Sequence, residues 1–246
     1  MRLDGAAVLL TGASSGIGAA TAGLLARKGA RPLLVGRDEP ALRRMGATSH
    51  AADLTEPGAP SQIAEWAVTT AGAVDVLIAN AGQGWAGPLQ AMPPDRIAEL
   101  VAVNLTASMC LTRLLLPDML RRGRGHVVFV SSIAGHMGVA EEAVYAATKA
   151  GLHGFAGSLR QEVAGTGVGV SVLVPGVVDT AFFSRRGAPY VRARPRPVPA
   201  VRAARALLRA VERDREEVFV PAWLRLPARL HGVAPAFIGE LQRRFG

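Results

Sequence analysis

Residues 6–18 read A-A-V-L-L-T-G-A-S-S-G-I-G, and this stretch decides the fold. Ala6 to Leu10 is an unbroken apolar run, the pattern of a strand buried on both faces. Thr11 to Gly18 then makes a glycine-rich turn carrying Ser14 and Ser15. From Gly16 to Lys28, Ile17, Ala20, Leu24 and Leu25 keep helical spacing, and Gly29 acts as the stop. Gly12 can take backbone angles closed to other residues. Gly16 allows a pyrophosphate to approach the main chain, and Gly18 allows close helix–strand packing. The helix start offers free N–H groups and a positive dipole end to phosphates. The spacing is T-G-x-x-x-G-x-G rather than G-x-G-x-x-G, so a purely structural turn is the competing reading.

The same alternation continues outward. Strands are expected at Pro32–Val35, His50–Ala52, Val74–Ala79, His126–Val130, Val168–Val174 and Val218–Val220. Helices are expected at Pro40–Met45, Pro60–Ala71, Pro94–Arg122, Val144–Val163 and Val201–Val211, the long one kinked at Pro117. Alternating strands and helices with right-handed crossovers give an α/β fold: a doubly wound parallel sheet of about seven strands. Residues 1–246 read as one domain, with a proline- and arginine-rich lid over 181–200 and an extension over 222–246.

Composition narrows the setting. No run of roughly 18 uncharged apolar residues suggests a membrane span, and Met1 to Gly5 carries no apolar leader. Cys110 has no intramolecular partner, which fits a reducing cytoplasm. The net charge of +9 is uneven: residues 1–183 hold 14 basic and 14 acidic side chains, residues 184–246 hold 14 and 5. Lys28 and Lys149 are the only lysines.

The end of the second strand bears on the choice of nicotinamide cofactor. An acidic residue there favours NAD. Here Gly36 is followed by Arg37, whose guanidinium suits a 2′-phosphate, so NADP(H) is preferred and NAD(H) remains possible. Asp38 follows at once, and a solvated Arg37 is the alternative. Asp53 either accepts from an adenine amine or caps a helix.

Tyr145 and Lys149 stand four apart in Y-A-A-T-K, on one helix face, thirteen residues after Ser132. An ammonium beside a phenol is expected to lower its pKa toward neutrality, as alcohol–ketone chemistry needs.

These motifs together resemble the short-chain dehydrogenases/reductases, from about Ala6 to Thr180. T-G-A-S-S-G-I-G is similar to the family's glycine motif, and Asp53-Leu54 to its adenine-site pair. Ala79-Asn80-Ala81-Gly82 resembles its N-N-A-G turn, with Ala79 replacing the first asparagine. Pro175-Gly176 through Val178 to Thr180 resembles its P-G-x-x-x-T segment. The resemblance implies Tyr145 as acid–base group, Lys149 as its partner and a ligand of the nicotinamide ribose, and Ser132 as donor to the substrate oxygen. Ser131 is a local competitor for that role. It implies that Asn104 interrupts its helix, holds a water and completes a proton relay to Lys149. Thr180 would bond the nicotinamide carboxamide, and Ile17 would pack near the cofactor. No metal site is expected.

Gln83, Gly84, Trp85, His136, Met137, Val139, Phe182 and Phe183 are candidate pocket residues, and their balance points to an apolar carbonyl or alcohol substrate. The basic last quarter admits four readings: a solvated surface, attraction of an anionic cofactor or acyl thioester, peripheral membrane contact, or nucleic-acid binding. No recognition motif supports the last. The family resemblance instead implies burial of the apolar tail in a homodimer or homotetramer. A cofactor-binding scaffold without turnover is the alternative to an enzyme, against which the full set of catalytic residue types argues.

Overall fold

The computed structural model describes residues 1–191, 194–234 and 240. The first half runs β1 (Ala7–Thr11), α1 (Gly16–Arg27), β2 (Arg31–Gly36), α2 (Glu39–Arg43), β3 (Thr48–Ala51), α3 (Ala59–Ala71), β4 (Val76–Ala79), α4 (Pro94–Val101) and α5 (Ala107–Arg121). The second runs β5 (Gly125–Val130), α6 (Ala143–Glu162), β6 (Val168–Pro175), β7 (Val178–Asp179), α7 (Phe182–Arg185), β8 (Val198–Pro199), α8 (Ala200–Glu212), β9 (Glu217–Val220) and α9 (Arg225–Val233). Seven strands form one parallel sheet in the order β3-β2-β1-β4-β5-β6-β9, and β7 pairs with β8 beside it. This is the doubly wound sheet expected from the sequence.

The strands are apolar throughout because both faces are covered. Leu9, Leu77, Val127, Phe129 and Val172 pack with Ile63 of α3, Leu111 and Leu115 of α5, and Leu152 and Leu159 of α6. Val8, Leu10, Ile78, Val128 and Leu173 face the other way, onto Leu25 of α1 and Leu207 and Val211 of α8. Each such buried side chain contributes about 1.5–3 kcal/mol relative to exposure. At the edge opposite the glycine turn, Asp75 accepts from the Ala7 amide at 3.0 Å, Arg122 at 2.8 Å and Arg124 at 3.2 Å. That ties the start of β1 to the end of α5. The strand order reverses between β1 and β4, which opens a crevice at the carboxyl ends of the sheet.

In three places the structure refines the pattern read from the sequence. The helix from Pro94 runs on through Pro117; its α-helical bonding breaks instead at a π turn, Ala102–Thr106, which contains Asn104. The lid is not wholly irregular, since it holds α7 and ends in β8. Pro227 sits in the first turn of α9, where a missing N–H costs nothing, so it does not break that helix. Leu224 and Ala228 are buried there, while Trp223, Leu226, Leu230 and Val233 are exposed. The tail residues Pro235, Phe237, Ile238, Leu241 and Phe245 lie outside the described residues. Pro94–Arg121 is long and apolar enough to cross a membrane, with a mean hydropathy of 1.5. Here it covers the sheet through Leu111, Leu115 and Met119.

His126, 2% exposed at the start of β5, bonds the Ser171 hydroxyl at 2.8 Å, and Ser171 donates to the Arg215 carbonyl. Burial pushes the imidazole pKa down to about 4. Below pH 6.5 the unfolded chain therefore takes up a proton that the native chain refuses, and stability falls until pH nears 4. The shift corresponds to about 3 kcal/mol. Urea titrations at pH 7.5 and 4.5 should show an acid-induced loss of stability smaller by that amount in His126→Gln than in the parent chain.

Candidate active site

The glycine turn is held from the neighbouring strand. Asn80, just after β4, donates from its side-chain amide to the carbonyls of Thr11 at 2.9 Å and Gly12 at 3.1 Å. The Thr11 hydroxyl accepts from the Asn80 and Ala81 amides, both at 3.1 Å. Gly12 has φ +66, and a Cβ there would lie 2.8 Å from the Ala81 Cα. Gly16 has φ +55 and faces the Thr180 methyl, which a Cβ would meet at 3.1 Å. On Gly18 a Cβ would lie 2.0 Å from the Gly12 carbonyl oxygen. Gly18 thus sits behind the turn and serves packing, while Gly12, Ser14, Ser15, Gly16 and Ile17 line the cleft. No side chain caps the first turn of α1, so its amides are left for an anion.

That cleft measures about 980 Å³. Arg37, Asp53, Leu54, Asn80, Ala81 and Gly82 line one side of it, and Pro175, Gly176, Val178 and Thr180 another. Ser132, Tyr145 and Lys149 stand between them. The glycine cradle, the uncapped helix start and the size of the cleft fit a nicotinamide dinucleotide.

Beyond the end of β2, Arg37 Nη1 lies 3.5 Å from Asp53 Oδ2. Asp53 also accepts from the Thr55 amide and hydroxyl, each at 2.9 Å, so it caps its own turn, while α3 is capped by Gly58. Burial opposes the Asp53 charge, but the Thr55 bonds and Arg37 outweigh it and lower the pKa. Asp38 accepts from the Ala41 amide at 2.9 Å and caps α2. Its carboxylate is therefore committed beside the helix start rather than to Arg37.

At the reactive end, Lys149 is 3% exposed and donates from Nζ to the Val130 carbonyl at 2.9 Å. Burial lowers its pKa to about 8. Tyr145, 7% exposed, is pushed up to about 12 by burial, only partly offset by a hydrogen bond with Ser132. The expected lowering of the phenol pKa by Lys149 is thus reversed. Nζ stands 5.7 Å from the ring centroid, and enclosure disfavours phenolate more than that ammonium favours it. Ser132 Oγ accepts from the Ala134 amide at 3.2 Å, which leaves its own proton for donation. Ser131, the competitor, donates to the Lys149 carbonyl at 3.0 Å and contacts His153 at 2.9 Å, so its hydroxyl is already engaged.

Asn104 is fully buried in the π turn. Its Oδ1 accepts from the Gln83 amide at 2.7 Å, and its Nδ2 donates to the Gln83 carbonyl at 2.9 Å and the Thr148 hydroxyl at 3.1 Å. The side chain therefore clamps Gln83, next to the Asn80–Gly82 turn, onto α6.

Of the pocket candidates, Gln83, Gly84, Met137, Val139, Phe182 and Phe183 line the cleft. Phe182 packs 5.4 Å from the Tyr145 ring and against Gly84. Trp85 instead lines a side pocket of about 180 Å³ behind Tyr145. His136 turns away to Glu217 and His153. Sequence reasoning missed Arg185, which bonds Ser15 across the cleft mouth at 3.0 Å, and Arg186, which pairs with Glu142. It also missed Trp223 and Pro227, which reach the cleft from the C-terminal segment. No periodicity marks such contacts.

The Gly18 contact is testable. Gly18→Ala should cost about 1–3 kcal/mol in urea unfolding and weaken cofactor binding. Gly157→Ala, in α6 with open space around it, should be neutral or stabilise by about 0.5–1 kcal/mol.

With this geometry in view, the comparisons with known proteins agree. The family model described as short chain dehydrogenase matches residues 6–190. A relative named ketoacyl reductase HetN, from Nostoc sp., is 34% identical over 99% of this chain and 90% of its own. A short-chain dehydrogenase from Sphingobium yanoikuyae, solved in complex with NADPH, superposes with a TM-score of 0.83 at 28% identity, over 96% of this chain and 94% of that one. A short chain dehydrogenase/reductase from Burkholderia phymatum, solved with NAD, gives a TM-score of 0.85 at 25% identity, over 94% of each chain. The protein is thus an NAD(P)-binding oxidoreductase that acts on CH–OH or keto groups, and it belongs to the short-chain dehydrogenase/reductase family.

Proposed function

We propose that this chain interconverts a ketone or aldehyde and an alcohol with NADP(H), using Tyr145 as the acid–base group. The observation that carries the reading is the enclosure of Ser132, Tyr145 and Lys149 in the same cleft as the glycine cradle. The bound nicotinamide supplies or accepts the hydride. Tyr145, with a pKa near 12, stays protonated at neutral pH and is set to donate to a carbonyl oxygen. Ser132 donates to the same oxygen and stabilises its developing charge. Lys149 spends one of three donors on Val130 and keeps the others for the ribose side. Its pKa near 8 makes it the more easily deprotonated of the pair, so it can resupply the phenol. Asn104 acts here as a positioning residue through Gln83.

The preference for NADP(H) rests on Arg37, which is 61% exposed and loosely held by Asp53. The bound NADPH of the Sphingobium neighbour supports it; the bound NAD of the Burkholderia one keeps NAD(H) in the comparison. Pro175, Gly176 and Thr180 fit the nicotinamide end. Phe182, Phe183, Met137 and Trp223 favour an apolar substrate, and the name of the Nostoc relative puts a 3-oxoacyl chain first in any panel. Exposed Ile97, Val101, Leu114 and Leu120 on α4 and α5 support a homo-oligomer. A cytoplasmic setting fits the lone Cys110.

Tyr145→Phe should lower kcat by about 10²–10⁴-fold with NADPH binding unchanged, measured by fluorescence titration beside steady-state rates. Retained turnover would refute the role. Arg37→Ala should weaken NADPH binding about tenfold or more and leave NADH little changed. Because oxidation needs the phenolate and Tyr145 titrates near 12, alcohol oxidation should accelerate steadily from about pH 7 to 10, while ketone reduction declines above about pH 8 as Lys149 loses the proton it resupplies.

A further inference from the structure

Outside the cleft, His136, His153 and Glu217 converge from three elements. His136 ends the turn that follows Ser132, His153 stands one turn beyond Lys149 on α6, and Glu217 opens β9. His136 Nε2 is 2.8 Å from Glu217 Oε1, and His153 Nδ1 is 3.4 Å from the same oxygen. The two imidazole centroids are 4.0 Å apart, and the three donor atoms all lie within 4.8 Å of one another.

The protons can be counted. Ser131 has a single hydroxyl proton and donates it to the Lys149 carbonyl at 3.0 Å. Its 2.9 Å contact with His153 Nε2 is then a bond in which the imidazole donates. In the tautomer that this bond favours, Nε2 carries the ring proton and Nδ1 turns a lone pair toward the Glu217 carboxylate. Two lone pairs facing each other at 3.4 Å make no hydrogen bond, and that separation is also long for one. It does match the edge of a metal tetrahedron. With ligand bonds of about 2.0–2.1 Å, neighbouring donors lie about 3.3 Å apart.

We propose that His136 Nε2, His153 Nδ1 and a Glu217 oxygen bind a divalent transition-metal ion of the zinc class, with water as the fourth ligand. Two imidazoles and a carboxylate suit zinc rather than magnesium or calcium, which take oxygen ligands. The bond from His153 Nε2 to Ser131 is the outer-shell contact that fixes a ligating imidazole in its tautomer. The His136 and Glu217 side chains are 24% and 34% exposed, so an ion can enter and keep a water. Of the cations nearby on α6, Arg160 is engaged with the Val170 and Glu216 carbonyls and Lys149 donates to the Val130 carbonyl. Binding would cross-link the Ser132 turn, the helix carrying Tyr145 and Lys149, and the last strand. The site lies outside the hydride chemistry and would brace it.

The test uses the full chain stripped with chelator and then titrated with Zn²⁺ or Co²⁺. One ion per chain is expected, with intense visible bands of tetrahedral Co²⁺. The thermal midpoint should rise by about 5–10 °C at a hundredfold excess over Kd. His136→Gln, His153→Gln and Glu217→Gln should each lose the ion while still binding NADPH. Cys110→Ser, His50→Gln and His231→Gln should keep it. A parent chain that takes up no Zn²⁺ and gives only octahedral Co²⁺ spectra overturns the proposal, whether or not any variant folds. Stoichiometry unchanged in all three ligand variants overturns it equally.

Discussion

The bonds from the Asn80 amide to the Thr11 and Gly12 carbonyls hold the rest of the site in place. They close the gap between β1 and β4, where the strand order reverses and the crevice must open. A turn with side chains could not sit there. The Gly12 carbonyl lies where a Cβ on Gly18 would be, and Ala81 lies where a Cβ on Gly12 would be. The glycines are thus required by contacts from both sides.

From that anchor the polar groups follow in a chain. Gln83, three residues on, is clamped in both directions by Asn104, and Asn104 exists in that position because the helix loosens into a π turn. Asn104 also reaches Thr148, which precedes Lys149 on α6. The switch point of the sheet and α6, which carries Tyr145 and Lys149, are therefore one connected unit. Burial then sets the chemistry. It raises the phenol and lowers the ammonium, so that the two pKa values, near 12 and near 8, cross relative to what proximity alone would give. A phenol kept protonated is a donor rather than an acceptor of a proton at neutral pH.

The segment beyond Thr180 supplies the adaptable wall. Phe182 stacks toward Tyr145, Arg186 lies 4.7 Å over the Phe183 ring and pairs with Glu142, and Arg185 spans to Ser15. Part of the basic excess noted in the last quarter is thus spent at the cleft mouth. Arginines on both flanks of a cleft attract anionic ligands.

The sequence by itself determined the sheet, the turn and the grouping of Ser132, Tyr145 and Lys149 in one cleft. Unbroken apolar strands, a glycine turn and a Y-x-x-x-K face are local patterns, with periods and spacings that survive without neighbours. It also ranked Ser132 over Ser131, whose hydroxyl is engaged with the Lys149 carbonyl and His153. Only the tertiary structure decided what depends on contacts between distant segments. The helix expected to kink at Pro117 loosens instead at Asn104, whose side chain bonds Gln83 and Thr148. His136, read as a pocket residue, turns to His153 and Glu217, the latter 81 positions away. The Tyr145 pKa moves against the sequence expectation, because enclosure is a property of the packed core, and no spacing of residues along the chain encodes it.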